Sequence, residues 1–261
     1  MKQFIKLIAF AMMAITGMSL TSCSNDDDEN TIKNISLTCK DTYKIPCSDN
    51  VVWTSSNDFI ASVSKDNTVT AVCVGEALIS SKTGSFYVTV KTINYAFDDP
   101  CLRWGVSRSE IRKFMKEVKP DKDTYTQLVY QWGDYKRAFT MYSFEDDSLE
   151  SVGIAMPTNF VDSENLANHL TDRYVPIQID KNNNRIYLIS PDQRTMILLS
   201  VMQLDSKIYY MIVYAPTKED TRSDIHPTDM LTRLTKTYNF EPANSDATKK
   251  EFNKITNLLK R

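Results

Sequence analysis

Short segments with alternating apolar and polar residues fill the chain between residues 31 and 91. They read ISLTC, VVWTSS, ASVS, TVTAV, EALISS and SFYVTV, and turn-forming residues such as Lys65, Asp66 and Asn67 separate them. A period of two indicates half-buried β-strands, and short strands at this spacing are typical of a small sandwich. The pattern therefore predicts an all-β sandwich domain over residues 31–91.

A second pattern begins near Ile93, where helical and strand periodicities follow each other twice. A helical segment precedes three alternating runs within residues 126–157, and a second helical segment over residues 162–174 precedes four runs within residues 175–216. Helices and strands in this order are typical of an α+β layout. We therefore predict an α+β domain over residues 93–217, an antiparallel sheet with helices on one face.

Helix signals mark the start and the end of this second region. Ser107 followed by Glu110 matches a capping box, and Pro120 ends the helical pattern that begins there. Residues 218–261 contain two further helical stretches, and the last one carries an apolar stripe formed by Phe252, Ile255, Leu258 and Leu259. We expect this C-terminal segment to pack on the second domain.

The two halves of the second domain show the pattern of an internal repeat. Residues 130–144 laid on residues 187–201 align three pairs of identical residues, Tyr130 with Tyr187, Arg137 with Arg194 and Ser143 with Ser200. Such a repeat predicts one continuous antiparallel sheet with a quasi-twofold arrangement. Its open face is the natural place to bind a partner.

The first 22 residues carry the features of a secretory signal. Two lysines flank an apolar core that is too short for a membrane span of about 20 residues. Leu20, Thr21, Ser22 and Cys23 resemble the lipobox of bacterial lipoproteins, which implies that a lipid is attached to Cys23. The alternative is an ordinary signal peptide with an incidental cysteine. We expect a membrane contact through the N-terminal lipid.

An acidic tether follows, over residues 23–30. Asp26, Asp27, Asp28 and Glu29 repel one another, so the segment is expected to stay solvated as a leash. The run SNDDDEN also resembles the acidic export tag of Bacteroides-type surface lipoproteins. That resemblance implies an outer-membrane, lipid-anchored protein exposed at the cell surface.

The run from Val51 to Ser80 resembles the bacterial Ig-like domain of group 2. Nine residues stand in the places of that family's pattern: Trp53, Ser55, Ser56, Asn57, Ala61, Val63, Val69, Ala71 and Gly75. Trp53 is expected to plug the core and Gly75 to make a tight turn, while Asn67 tolerates a left-handed backbone. The resemblance implies a spacer or docking module and covers about 60 residues.

Four cysteines remain when Cys23 is set aside: Cys39, Cys47, Cys73 and Cys101. An oxidising compartment permits disulfides among them, with the pairing open, and buried free thiols are the alternative. Zinc is a weaker alternative, because no C-x-x-C pair occurs and the chain has two histidines. We predict no metal and no cofactor.

Composition and motifs argue against several classes of activity. With 31 basic and 33 acidic residues the charge is nearly balanced, so we expect no nucleic-acid partner. The chain contains no G-x-S-x-G, H-E-x-x-H or glycine-rich phosphate loop. His169 and His226 lack a nucleophile motif, and the adjacent pair Asp98 and Asp99 is poorly placed to flank a glycosidic bond. We predict a protein that is not an enzyme and has no catalytic residues.

Aromatic residues provide the strongest binding signal, because exposed rings stack on the apolar faces of sugars. Trp132 and Tyr135, at a strand end and a turn, are the candidate ligand-binding residues, and burial in a core is the alternative. We therefore expect a non-catalytic surface lipoprotein that binds a glycan or an envelope protein. A structural or assembly role in the envelope is the second hypothesis, and an envelope hydrolase is the third.

Overall fold

The computed structural model of the protein describes residues 34–47, 51–133, 137–217, 227–238, 240 and 245–260. The described residues all lie in one compact unit. They are mostly β-strand, with antiparallel sheets and few helices. Cys23, the predicted lipid-attachment residue, Tyr135, a candidate ligand-binding residue, and His226 lie outside the described residues, as do the signal and tether segments.

Seven strands form the N-terminal part. They are β1 (Ile35–Thr38), β2 (Thr42–Lys44), β3 (Thr54–Ser55), β4 (Ala61–Val63), β5 (Thr68–Ala71), β6 (Gly75–Ser80) and β7 (Ser85–Lys91). One sheet has the order β1-β7-β6-β3, with β1 parallel to β7, and the other has the order β2-β5-β4. Buried residues from both sheets share one core, so the two sheets form the sandwich that alternation predicts.

Trp53 lies in this core, as predicted, and packs edge-on against Phe86 with 5.7 Å between ring centroids. Asn67 has φ 60°, the left-handed conformation expected of it. Gly75 has φ 150°, and an added Cβ would lie 2.8 Å from Ile60 Cδ1. A larger residue at this turn would therefore displace the Ile60 side chain.

The second part repeats a helix followed by four strands. The first copy has α1 (Arg108–Phe114), β8 (Lys122–Thr124), β9 (Gln127–Trp132), β10 (Ala138–Glu145) and β11 (Ser148–Pro157). The second copy has α2 (Ser163–Thr171), β12 (Val175–Asp180), β13 (Arg185–Ile189), β14 (Thr195–Leu204) and β15 (Lys207–Pro216). The sheet order β12-β13-β14-β15-β11-β10-β9-β8 is symmetric about the antiparallel pair β15 and β11. It is the continuous sheet that the repeat predicts.

Helices pack on both faces of this sheet, which corrects the prediction of helices on one face. Residues of α1, α2 and α4 (Asp246–Leu259) share one core with one face. Leu231 of α3 (Pro227–Tyr238) packs on the opposite face, with Met211 and Val213. The central strands are buried along nearly their whole length, so both of their faces need a cover.

The end of α2 joins the sandwich to the helical layer. The Asp172 carbonyl accepts from Val74 N at 2.7 Å, and its buried carboxylate accepts from Thr92 Oγ1 and Asn94 Nδ2. A further hydrogen bond runs from Asn57 Nδ2 of the sandwich to Pro191 O, at 3.0 Å. These bonds connect residues more than 75 positions apart, so they hold the two parts together.

None of the described helices is long and apolar enough to cross a bilayer.

Candidate functional site

A cavity of about 480 Å³ opens on the sheet beside α1, and we call it the aromatic cleft. Its lining comes from β9 and β10, from the end of α1 and from the loop before Pro100. The lining residues are Asp98, Asp99, Pro100, Phe114, Met115, Lys116, Val118, Asp121, Tyr130, Gln131, Trp132, Thr140 and Tyr142. The cleft therefore combines aromatic and apolar walls with carboxylates at its edge.

The cleft exists because α1 ends early. The capping box forms as predicted, since Ser107 and Glu110 exchange hydrogen bonds, but the helix stops at Phe114. Lys116 and Glu117 have φ 53° and 59°, so the chain leaves the helix in a left-handed turn. Phe114, the last residue of α1, and Val118, in the turn after it, are exposed at the edge of the cleft.

Trp132, the candidate binding residue, lies half-buried in the wall of the cleft. Its Nε1 donates to Thr140 Oγ1 at 3.0 Å, and its ring meets Phe160 edge-on with 5.2 Å between centroids. The Phe160 ring can approach because residue 133 is a glycine: a Cβ at that position would lie 2.4 Å from Phe160 Cε2. The indole is therefore held in one orientation while part of it stays accessible.

Tyr130 lies in the lining of the cleft, next to Trp132 in the pleat of β9. The residue is 3% exposed, its ring packs edge-on against Tyr142, and its hydroxyl has no hydrogen-bond partner among the described residues. Burial raises the pKa of Tyr130, so the hydroxyl stays neutral. A neutral phenol can both donate and accept, so the Tyr130 hydroxyl is an unsatisfied polar group directly behind the wall of the cleft. Alternation along β9 predicts that Tyr130 and Trp132 lie on the same face of the sheet. No feature of the sequence indicates that the Tyr130 hydroxyl lacks a hydrogen-bond partner.

The charges at the cleft are mostly negative. Asp99 accepts from Arg173 Nε at 2.8 Å and 3.0 Å, and Asp121 accepts from Gln131 N at 2.8 Å. Asp98 is exposed at the edge, and Lys116 is the one cationic side chain among the lining residues. The cleft thus offers more acceptors than donors to a ligand.

His169 lies behind Asp99 and is completely buried. Its Nδ1 accepts from Ala96 N at 3.2 Å, which leaves the proton on Nε2, 3.5 Å from Asp99 Oδ1. Burial, and then the nearby Arg173, lower the pKa of His169 to about 3. The imidazole is therefore neutral and supports the loop around Ala96 rather than facing a ligand.

All four described cysteines are free thiols, three of them buried and Cys47 half-buried. Cys39 Sγ and Cys73 Sγ lie against the carbonyls of Asp172 and Thr171, at 3.6 Å and 3.7 Å. Burial raises the pKa of Cys39 to about 11 and that of Cys73 to about 12. Within the described ranges no group of three or more His, Cys, Asp or Glu residues is arranged to hold a metal ion.

Comparisons with known proteins do not show which family the chain belongs to. No family model and no curated protein matches it. The crystal structure of a cysteine-rich secretory protein from Staphylococcus aureus subsp. aureus Mu50 is similar over 53% of this chain, with 12% identity and a TM-score of 0.25. The match spans 60% of that chain. A similarity this low carries no argument about function.

Proposed function

We propose that the protein is a non-catalytic lipoprotein of the outer membrane, displayed at the cell surface, that binds a ligand in the aromatic cleft. In this proposal the Ig-like domain, residues 31–91, is a spacer, and the α+β domain, residues 93–217, carries the binding site. The ligand is a glycan or a protein of the envelope. The observation that carries the proposal is the cleft itself, with an oriented, accessible indole beside a buried hydroxyl without a partner.

The anchor rests on the lipobox-like sequence that ends at Cys23 and on the acidic run behind it. Cys23→Ala removes the sulfur that would carry the lipid, so the variant should leave the membrane fraction and appear in the soluble fraction. Replacing Asp26, Asp27 and Asp28 by Ala should protect the protein from protease added to whole cells. A Cys23→Ala variant that stays with the membrane would contradict the anchor.

Binding by the cleft rests on matched chemistry. Aromatic side chains contribute a large apolar surface at a fixed geometry, and a few polar groups around such a surface provide specificity. Trp132 and Phe114 provide the apolar surface, while Gln131 and Asp98 provide the exposed polar groups. A glycan array with the wild type and Trp132→Ala tests this assignment, and Tyr125→Ala, an exposed aromatic elsewhere, is the control.

A structural or assembly role is the second candidate. Phe114 and Val118 are 44% and 57% exposed at the edge of the cleft, and such apolar side chains also suit contact with an envelope protein. Co-purification of one envelope protein in stoichiometric amount, without any glycan signal, would favour that role. An envelope hydrolase is the third candidate, and turnover that depends on Asp98 or His169 would favour it.

A further inference from the structure

We infer that the aromatic cleft prefers neutral glycans to glycans that carry carboxylates, with Asp98 as the specificity-determining residue. This inference rests on the proposed function, because it names the ligand class of the same site. Three features of the cleft support the inference: the charges of its lining residues, the hydrogen bonding of β9, and the polar side chains that a ligand can contact.

The three carboxylates of the lining differ in what already contacts them. Asp99 is neutralised by Arg173, whose side chain is 8% exposed, and Asp121 accepts a backbone hydrogen bond from β9. Asp98 stands exposed at the edge. A uronic or sialic acid placed beside Asp98 meets a like charge at short range, which should weaken binding roughly five- to tenfold. Like-charge repulsion of this kind is a common source of specificity.

The floor of the cleft argues against an extended peptide as the ligand. β9 pairs with β10 along its whole length and with β8 over residues 127–129, and at the cleft the Gln131 N–H already donates to Asp121 Oδ2. A peptide strand that binds by adding to a sheet needs a free edge. Binding here must therefore use side chains, and a side-chain site of about 480 Å³ falls within the range of small-ligand pockets.

The groups that remain match the two surfaces of a pyranose. Its C–H face can lie on the indole of Trp132, and its hydroxyl edge can meet the Asp98 carboxylate and the Gln131 amide, which are both exposed. A sugar hydroxyl can donate to the carboxylate of Asp98, whereas a sugar carboxylate can only repel it. The site is thus complementary to uncharged sugars.

The test is a glycan array that pairs each neutral glycan with its uronic or sialylated counterpart, probed with the whole lipid-free chain. The wild type should bind the neutral members more tightly, and Asp98→Asn should reduce the preference for neutral over acidic counterparts by roughly five- to tenfold. Asp58→Asn, an exposed carboxylate of the sandwich, is the matched control and should leave the pattern unchanged.

The outcomes separate this inference from the proposed function. Wild-type binding that prefers acidic glycans, or an Asp98→Asn pattern identical to the wild type, overturns the selectivity and leaves glycan binding in place. An absence of wild-type binding to every glycan overturns both. Trp132→Ala reports on the cleft independently, because it should remove binding to neutral and acidic glycans alike.

Discussion

At the residue scale, the cleft depends on how single side chains are held. Trp132 is oriented by Thr140 and Phe160, and Phe160 fits there because position 133 lacks a side chain. The sequence predicts Trp132 as a candidate from its place at a strand end. The supporting contacts could not be predicted, since Phe160 comes from a loop after another strand.

Gly133→Ala should be destabilising. Gly133 has φ 75°, and an added Cβ would lie 2.4 Å from the Phe160 ring, so both backbone strain and a clash result. We expect a loss of about 1 to 3 kcal/mol in the free energy of unfolding, measured by urea denaturation. Gly84→Ala is the control, because a Cβ there meets nothing within 4 Å and should leave stability nearly unchanged.

His169 predicts a pH dependence of stability. Its pKa falls from 6.5 to about 3 on folding, mainly because burial penalises the charged form. The unfolded chain therefore binds one more proton between these values, so stability is complete above pH 6.5 and falls as the pH drops below it.

The slope should approach about 1.4 kcal/mol per pH unit, which gives a loss of about 2 kcal/mol between pH 6.5 and 5. Urea denaturation of the wild type and of His169→Gln at pH 7, 6 and 5 checks this, since the variant lacks the titrating group. Equal slopes for the two proteins would contradict the assignment.

At the element scale, strands and helices follow their sequence periods, but helix ends and helix faces do not. Seven of the eight strands of the second sheet lie within the runs predicted over residues 126–157 and 175–216, whereas β8 lies outside them. The early end of α1 was not predictable, because Lys116 and Glu117 carry no left-handed signal. α3 lies on the face opposite to the other helices because the central strands are buried on both faces. The long apolar runs of β14 and β15 are consistent with this burial, but they do not indicate which helix covers which face.

Ser107→Ala should loosen α1 and thereby the cleft wall. Ser107 Oγ accepts from Glu110 N at 3.4 Å, and the Glu110 carboxylate accepts from Ser107 N at 3.0 Å. Loss of this N-cap should reduce stability by about 1 kcal/mol. Hydrogen exchange should accelerate in residues 108–115, while exchange in α2, which has its own cap at Asp162, should stay as in the wild type. Unchanged exchange in α1 would show that the cap contributes nothing.

At the scale of the whole molecule, the sandwich and the sheet are joined by buried polar contacts rather than by a linker alone. Asp172 is 2% exposed and accepts hydrogen bonds from the side chains of Thr92 and Asn94 and from the backbone N–H of Val74. Sequence patterns could predict the two parts separately, because each has its own period. They could not predict the junction, since its partners lie far apart in the chain and no period connects them. If the sandwich is the spacer of the proposed function, these contacts present the cleft in a fixed direction.

Asp172→Ala should uncouple the two parts. The change leaves the Thr92 hydroxyl and the Asn94 amide without their acceptor, at about 1 to 3 kcal/mol for each group that stays buried and unpaired. We expect the urea unfolding curve to broaden or to split into two transitions. Asp180→Ala is the control, because this exposed carboxylate contacts Asn182 and Asn183 of its own turn. A curve for Asp172→Ala that matches the wild type would contradict the coupling.

Glycan binding by Trp132→Ala, compared with the wild type and with Tyr125→Ala, tests the central claim most directly. Isothermal titration with a neutral oligosaccharide chosen from the array gives the affinities, and thermal melting shows that each variant is folded. The aromatic cleft predicts a loss of at least about tenfold for Trp132→Ala and wild-type affinity for Tyr125→Ala. Equal binding by the folded Trp132→Ala variant and the wild type would contradict it.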